Sequence, residues 1–161
     1  MRVGQGFDAH AFDAQRPLML GGVAIPDHPG LVGHSDADVL SHAIADALLG
    51  AASLGDLGAL FPANDRWRGA SSLDILRESA QAVARAGWSV ANVDATVIAQ
   101  SPKLAPHRQE MILNLAAALA IDGSCVSVKA TTTDDLGFIG RSEGMAALAV
   151  VLIEQPAPAR G

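Results

Sequence analysis

Residues 145–153, MAALAVVLI, constrain this fold more than any other segment, because every position is apolar. A strand with one wet face alternates apolar and polar side chains, so an unbroken apolar strand is expected to be buried on both faces. A single layer of helices covers only one face of a sheet. The other must pack against a second copy of the chain or beneath an N-terminal hairpin, and these residues alone leave the two open. At 161 residues the chain has the length of one domain with one core. It is read as a single domain over 1–161, with about 156–161 a frayed tail.

The remaining elements follow from period and punctuation. Residues 2–9 are read as a strand ending at Asp8 and His10, and 18–25 as a short hairpin about Gly21-Gly22 that Pro26 stops. A helix is expected from Asp36 to about Ala52 with Ser35 as N-cap, then a long loop over 56–70. A second helix over Ser72–Ala86 is closed by Gly87, a strand follows over 90–99, and Pro106 opens a third helix. A strand over 125–133 and a glycine-containing loop over 136–144 lead to the apolar strand. The expected architecture is α/β (α+β): a small mixed four-stranded sheet plus a hairpin, helices packed on one face, the other face toward a subunit interface.

Composition narrows the function. A net charge of −6 argues against a nucleic-acid surface, although a small phosphorylated ligand needs only a few local donors. No apolar run approaches the roughly 18 residues of a membrane span, so no membrane partner is expected. The opening MRVGQGFDAH carries no readable signal peptide, and Cys125 is the only cysteine, so a reducing cytoplasm is the expected location. With one cysteine, any metal must be held by His and carboxylate.

Several clusters can carry chemistry. Asp8 and His10, two apart on a strand, project to one face, although such a pair also satisfies a turn. His42 lies within an apolar helix, on one stripe with Asp38 and Asp46. It is either a hydrogen-bonded core residue or, with Asp8 and His10, the third ligand of an open catalytic metal site, with those two carboxylates able to orient it. His34 and Ser35 at the helix start suit an anion or a plain cap. Thr131, Thr132, Thr133 and Asp134 suit phosphate oxygens and a hard cation, or a β-branched strand end. Arg141 can serve a phosphate or a surface ion pair, and Ala99–Ala105 a flat base or a simple connection.

Together, MRVGQGFDAHAF, LVGHSDADVLSHAIADALLGA, LGDLGALFP, IAQSPKLAPH and VKATTTDDLGFIGRSEG resemble the signatures of the 2-C-methyl-D-erythritol 2,4-cyclodiphosphate synthase family, in order, over nearly the whole chain. The resemblance implies a cytoplasmic phosphorus–oxygen lyase of the non-mevalonate isoprenoid pathway. Such an enzyme converts 4-diphosphocytidyl-2-C-methyl-D-erythritol 2-phosphate to the cyclic diphosphate and releases CMP. The alternatives are a zinc-dependent phosphohydrolase and a non-catalytic nucleotide- or isoprenoid-diphosphate-binding module.

Carried onto this chain, the resemblance implies Asp8, His10 and His42 as ligands of Zn2+ or another divalent ion, and Asp134 as a ligand of Mg2+ or Mn2+. It implies His34 and Thr132 as transition-state stabilisers. Substrate contacts are implied for Asp8, His10, His34, Ser35, Asp56, Leu57, Gly58 and Phe61 to Asp65 (Phe61, Pro62, Ala63, Asn64, Asp65). They are also implied for Thr131, Thr132, Thr133, Asp134, Phe138 and Arg141. Ala99, Gln100, Ser101, Pro102, Lys103, Leu104 and Ala105 match the cytidine-binding segment, and Asp46 stands behind the zinc ligands. The implied assembly is a homotrimer with active sites between subunits. Two departures stand out. The family usually has Pro-Asp-Thr-Asp where this chain has Pro62-Ala63-Asn64-Asp65, and Glu where it has Asp134, with Asp135 beside it as a second carboxylate.

Overall fold

The structure, a computed structural model, describes residues 1–62 and 67–155. In chain order the elements are β1 (Arg2–Leu20), β2 (Val23–Leu31), α1 (Val39–Ala52), α2 (Leu57–Leu60), α3 (Ser72–Arg85), β3 (Ser89–Ile98), α4 (Arg108–Leu119), β4 (Val126–Thr131), α5 (Gly137–Gly140) and β5 (Gly144–Glu154). The sheet order is β2-β1-β5-β3-β4. Only β3 and β4 run parallel, joined by the crossover through α4, and the other pairs are antiparallel.

The mixed α+β class is as expected, but the sheet has five strands. β1 does not end near Ala9: Arg2–Ala11 pairs with β5 and Phe12–Leu20 with β2, so one bent strand carries the hairpin into the sheet. Register shifts around Pro17 accompany the irregular polar stretch from Asp13 to Arg16, which hid the continuity. Pro26 does not stop β2. That strand is at the sheet edge, where a missing N–H is tolerated, and it continues through Pro26 and Pro29.

α1 begins later than expected. Its N-cap is Asp38, whose carboxylate accepts from the Leu40 and Ser41 N–H groups, whereas Ser35 Oγ takes the N–H of Ala37. α1 is buried along most of its length between the sheet and α3. Its approach to β1 depends on Gly4 and Gly6: a Cβ there would lie 1.9 Å from the Ala47 carbonyl oxygen and 2.0 Å from that of Ala43. This close seating puts His42 beside Asp8. Gly6→Ala should push α1 off the strand at a cost at the upper end of the ~1–3 kcal/mol typical of overpacked cores. Denaturant unfolding checks this; an unchanged midpoint would show that the seating is not tight.

The sheet faces differ. Val93, Ala95, Val97, Met145, Ala147, Ala149 and Val151 are buried beneath the helices. On the opposite face Val3, Phe7 and Val150 remain 68%, 56% and 40% exposed, with Leu148 and Leu152 half-buried. The hairpin does not cover this face, because its tip turns to the helices, Gly21 against Met111 and Gly22 against Leu73. Within one chain β5 is therefore fully buried on the helix face, while on the other, over 145–153, only Ala146 is fully buried, so of the two expected covers the hairpin is not the one. The 156–161 tail lies outside the described residues.

Candidate functional site

A cavity of about 520 Å³ opens where β1, the start of α1 and α2 meet, a volume ordinary for small-molecule sites. Its wall includes Asp8, His10, His34, Ser35, His42, Asp46, Asp56, Leu57, Gly58 and Phe61, so it gathers residues that stand far apart in sequence. Phe7, Trp67 and Ile75 complete it. Trp67, edge-on to Phe61 at 4.9 Å between ring centroids, had no sequence signal beyond being a tryptophan in a polar loop.

Asp8, His10 and His42 each bring one ligand atom to within 4.8 Å of the others. The Ala9 N–H takes Asp8 Oδ1, which leaves Oδ2 for the two rings. His42 Nδ1 is 3.0 Å from Oδ2. His10 Nε2 is also 3.0 Å from Oδ2, but out of hydrogen-bonding alignment, and it is a buried nitrogen with no partner. Burial works against the charge of Asp8, yet the two imidazoles, His10 in close contact and His42 by its hydrogen bond, prevail and hold its carboxyl well below the usual range. Burial likewise opposes a charged His42, but Asp8, backed by the charges of Asp38 and Asp36, raises its pKa. The cluster attracts positive charge. Two imidazoles and one carboxylate, with an orphaned nitrogen aimed at their centre, fit a borderline divalent cation such as zinc.

The His34 loop is tied down by its carbonyls. The Arg16 guanidinium donates to the Gly33 and Ser35 carbonyls, and the Gly69 N–H donates to that of His34 at 2.9 Å. At the α1 N-terminus the Asp38 carboxylate takes the N–H groups of Leu40 and Ser41. Asp46 differs from its expected role behind His42: its Oδ1 accepts the Leu57 N–H at 3.0 Å, so it holds α2 instead. Asp56 Oδ1 accepts from Ala59 N–H and caps the same short helix. Ala63, Asn64 and Asp65 lie outside the described residues.

A second group forms at the ends of β3 and β4. Gln100 ties it together, accepting the Thr133 N–H at 3.0 Å and donating to Asp135 Oδ1 at 2.7 Å. Thr132 Oγ1 donates to Asp134 Oδ1 at 3.1 Å. Asp135 is thus partnered by Gln100, while among the described residues the Asp134 carboxylate pairs with Thr132. Arg141 holds Glu143 through two hydrogen bonds, the ion-pair alternative for this residue, and Phe138 is 42% exposed. Ser101 bonds His28, and Leu104 is buried in the core. None of these residues lines the cavity. Three interstrand steps of about 4.8 Å separate β1 from β4, about 14 Å in all.

The sequence model of the YgbB family matches residues 1–154. The chain is 59% identical over 156 residues to the 2-C-methyl-D-erythritol 2,4-cyclodiphosphate synthase of Syntrophomonas wolfei subsp. wolfei, covering 96% of this chain and 99% of that one. It is 55% identical over 155 residues to the synthase of the same name from Marinobacter nauticus, covering 96% and 98%. Among solved structures it matches the bifunctional IspDF from Campylobacter jejuni at 47% identity with a TM-score of 0.92, over 96% of this chain but 42% of that two-function protein. It also matches the CDP complex of IspF from Plasmodium falciparum at 36% identity and a TM-score of 0.84, over 97% of each chain.

Proposed function

The chain belongs to the YgbB family, and from that premise we infer how its residues share out the reaction named by its relatives. It converts 4-diphosphocytidyl-2-C-methyl-D-erythritol 2-phosphate to 2-C-methyl-D-erythritol 2,4-cyclodiphosphate and CMP, as an isoprenoid-pathway lyase. The observation that carries this reading into chemistry is the convergence of Asp8, His10 and His42 on the wall of the cavity.

In the reaction an oxygen of the 2-phosphate bonds to the β-phosphorus while the β-phosphorus–oxygen bond to the CMP phosphate breaks. A phosphate monoester has a second pKa of about 6, so the nucleophile is already mostly ionised near neutral pH and needs no strong base. The obstacle is repulsion between anions. Zinc on Asp8, His10 and His42 and magnesium on Asp134 supply, when bound, the positive charge that offsets it. His34, on a loop whose carbonyls are fixed by Arg16 and Gly69, directs its side chain at the phosphates. Asp56, Leu57, Gly58 and Phe61 to Asp65 hold the methylerythritol portion. Ala99 to Ala105 reads the cytidine through its backbone, and Thr132 donates to the phosphate bridge as charge shifts. Rigid placement matters because positioning removes much of the barrier to in-line displacement.

Asp134→Ala should raise the magnesium needed for half-maximal turnover, because Asp135 is taken up by Gln100; an unchanged requirement would exclude Asp134 as the ligand. Removing metal with a chelator should abolish CMP release, and zinc with magnesium should restore it. Release that survives chelation would overturn the reading.

The active enzyme is read as a cytoplasmic homotrimer, with the cavity of one subunit completed by the Gln100 and Thr132 region of the next. Two observations support this: the separation of the two groups on one chain, and the uncovered apolar face of Val3, Phe7 and Val150. Light scattering at micromolar concentration should return three chains, and a stable monomer would defeat it.

A further inference from the structure

We propose that Ser72 and Asp36 are positioning residues that fix His42 as the Nε2–H tautomer, so that Nδ1 keeps the lone pair it offers to the metal. The inference rests on reading Asp8, His10 and His42 as a metal site, and it assigns a role to two residues outside that ligand set.

The chain of hydrogen bonds begins at Asp36. Its carboxylate accepts from the Ser72 N–H, with both oxygens at 3.1 Å, and from the Ser72 hydroxyl. An ionised carboxylate only accepts, and a hydroxyl has one proton, so the Ser72 proton is committed to Asp36. Toward any other neighbour Ser72 Oγ can only accept. The neighbour is His42 Nε2, at 3.0 Å. In that contact Nε2 is therefore the donor. Ser35 Oγ, 3.2 Å from the same nitrogen, takes the Ala37 N–H and lies 3.3 Å from Ser72 Oγ, which can accept the Ser35 proton and so leave Ser35 an acceptor toward Nε2 as well. Ser72 and Ser35 are 0% and 5% exposed, so water does not readily replace either partner.

A neutral imidazole has one N–H. With that proton on Nε2, Nδ1 presents its lone pair to Asp8 Oδ2, 3.0 Å away. Two acceptors facing each other repel unless a proton or a metal ion lies between them, so an ion takes the place of the proton that otherwise joins this pair. Tautomer and ring direction are thus set in advance for an ion, as hydrogen-bonding partners behind a ligating histidine commonly do. Ser72 is the first residue of α3, so the same bonds also anchor that helix to the His34 loop. A merely structural role would leave metal affinity untouched.

The test is zinc affinity, by chelator competition on protein whose fold is checked by circular dichroism, with 15N NMR of the His42 ring. Ser72→Ala removes only a hydroxyl, and it should weaken zinc roughly 10–100-fold. Asp36→Asn should weaken it similarly, because an amide N–H presented to Ser72 frees the hydroxyl proton to compete for Nε2. The double variant should be little worse than either single one, since both break one chain. In the neutral ring of wild-type protein, NMR should find the proton on Nε2. Unchanged affinity in Ser72→Ala, or a proton on Nδ1 in the wild type, would overturn the inference while leaving the metal site standing. A wild-type protein that takes up no divalent ion would overturn the metal site and the inference together. If Asp36→Asn does not fold, Ser72→Ala and the wild-type NMR decide.

Discussion

Thr132→Val is expected to lower turnover by roughly 10²–10³-fold, the usual cost of losing a donor aimed at charge developing in a transition state, with metal content and fold unchanged. Thr132 follows the last residue of β4, is exposed, and its hydroxyl reaches Asp134 Oδ1 at 3.1 Å. Valine preserves the branched shape and the backbone preference, so the substitution isolates the hydroxyl. Steady-state kinetics beside elemental analysis separate two outcomes. A fall in kcat with KM and zinc intact is the signature of a transition-state donor. A rise in KM alone would make Thr132 a ground-state contact.

His42→Ala should reduce bound zinc from about one per chain to near zero and lower turnover by roughly three orders of magnitude or more, since a Lewis acid contributes several kcal/mol to phosphoryl transfer. Alanine suits a helix interior, and α1 is held by Leu40, Ala43, Ile44, Ala47 and Leu48 in the core, so the chain should still fold. Elemental analysis of the purified variant is the check. Full zinc retention would remove His42 from the ligand set.

What was legible in the sequence followed short-range rules. The two-residue spacing of Asp8 and His10 predicted a shared face, and the structure gives it, with His42 brought across by the glycine-seated helix. The crossover from β3 through α4 to β4 was readable from period and length. Failures came where neighbours compete or partners are remote. Ser35, Asp36 and Asp38 are all good capping residues, and only the packed structure shows Asp38 winning the cap while Asp36 turns to Ser72. Helical spacing placed Asp46 on the His42 stripe, but could not show that α2 would fold back to claim its carboxylate. Arg16 and Ser72 act across 17 and 30 residues, and nothing local marks them. The second apolar face of β5 was expected to be covered by a second copy or by the hairpin, and within one chain the hairpin does not cover it.

The identity of the products tests the account most directly. Phosphorus NMR of a complete reaction with zinc, magnesium and 4-diphosphocytidyl-2-C-methyl-D-erythritol 2-phosphate should show CMP and the cyclic diphosphate in equal amounts, with no inorganic phosphate. Release of inorganic phosphate, with the cytidine diphosphate linkage intact, would mean that a water molecule and not the 2-phosphate is the nucleophile, and would contradict the account.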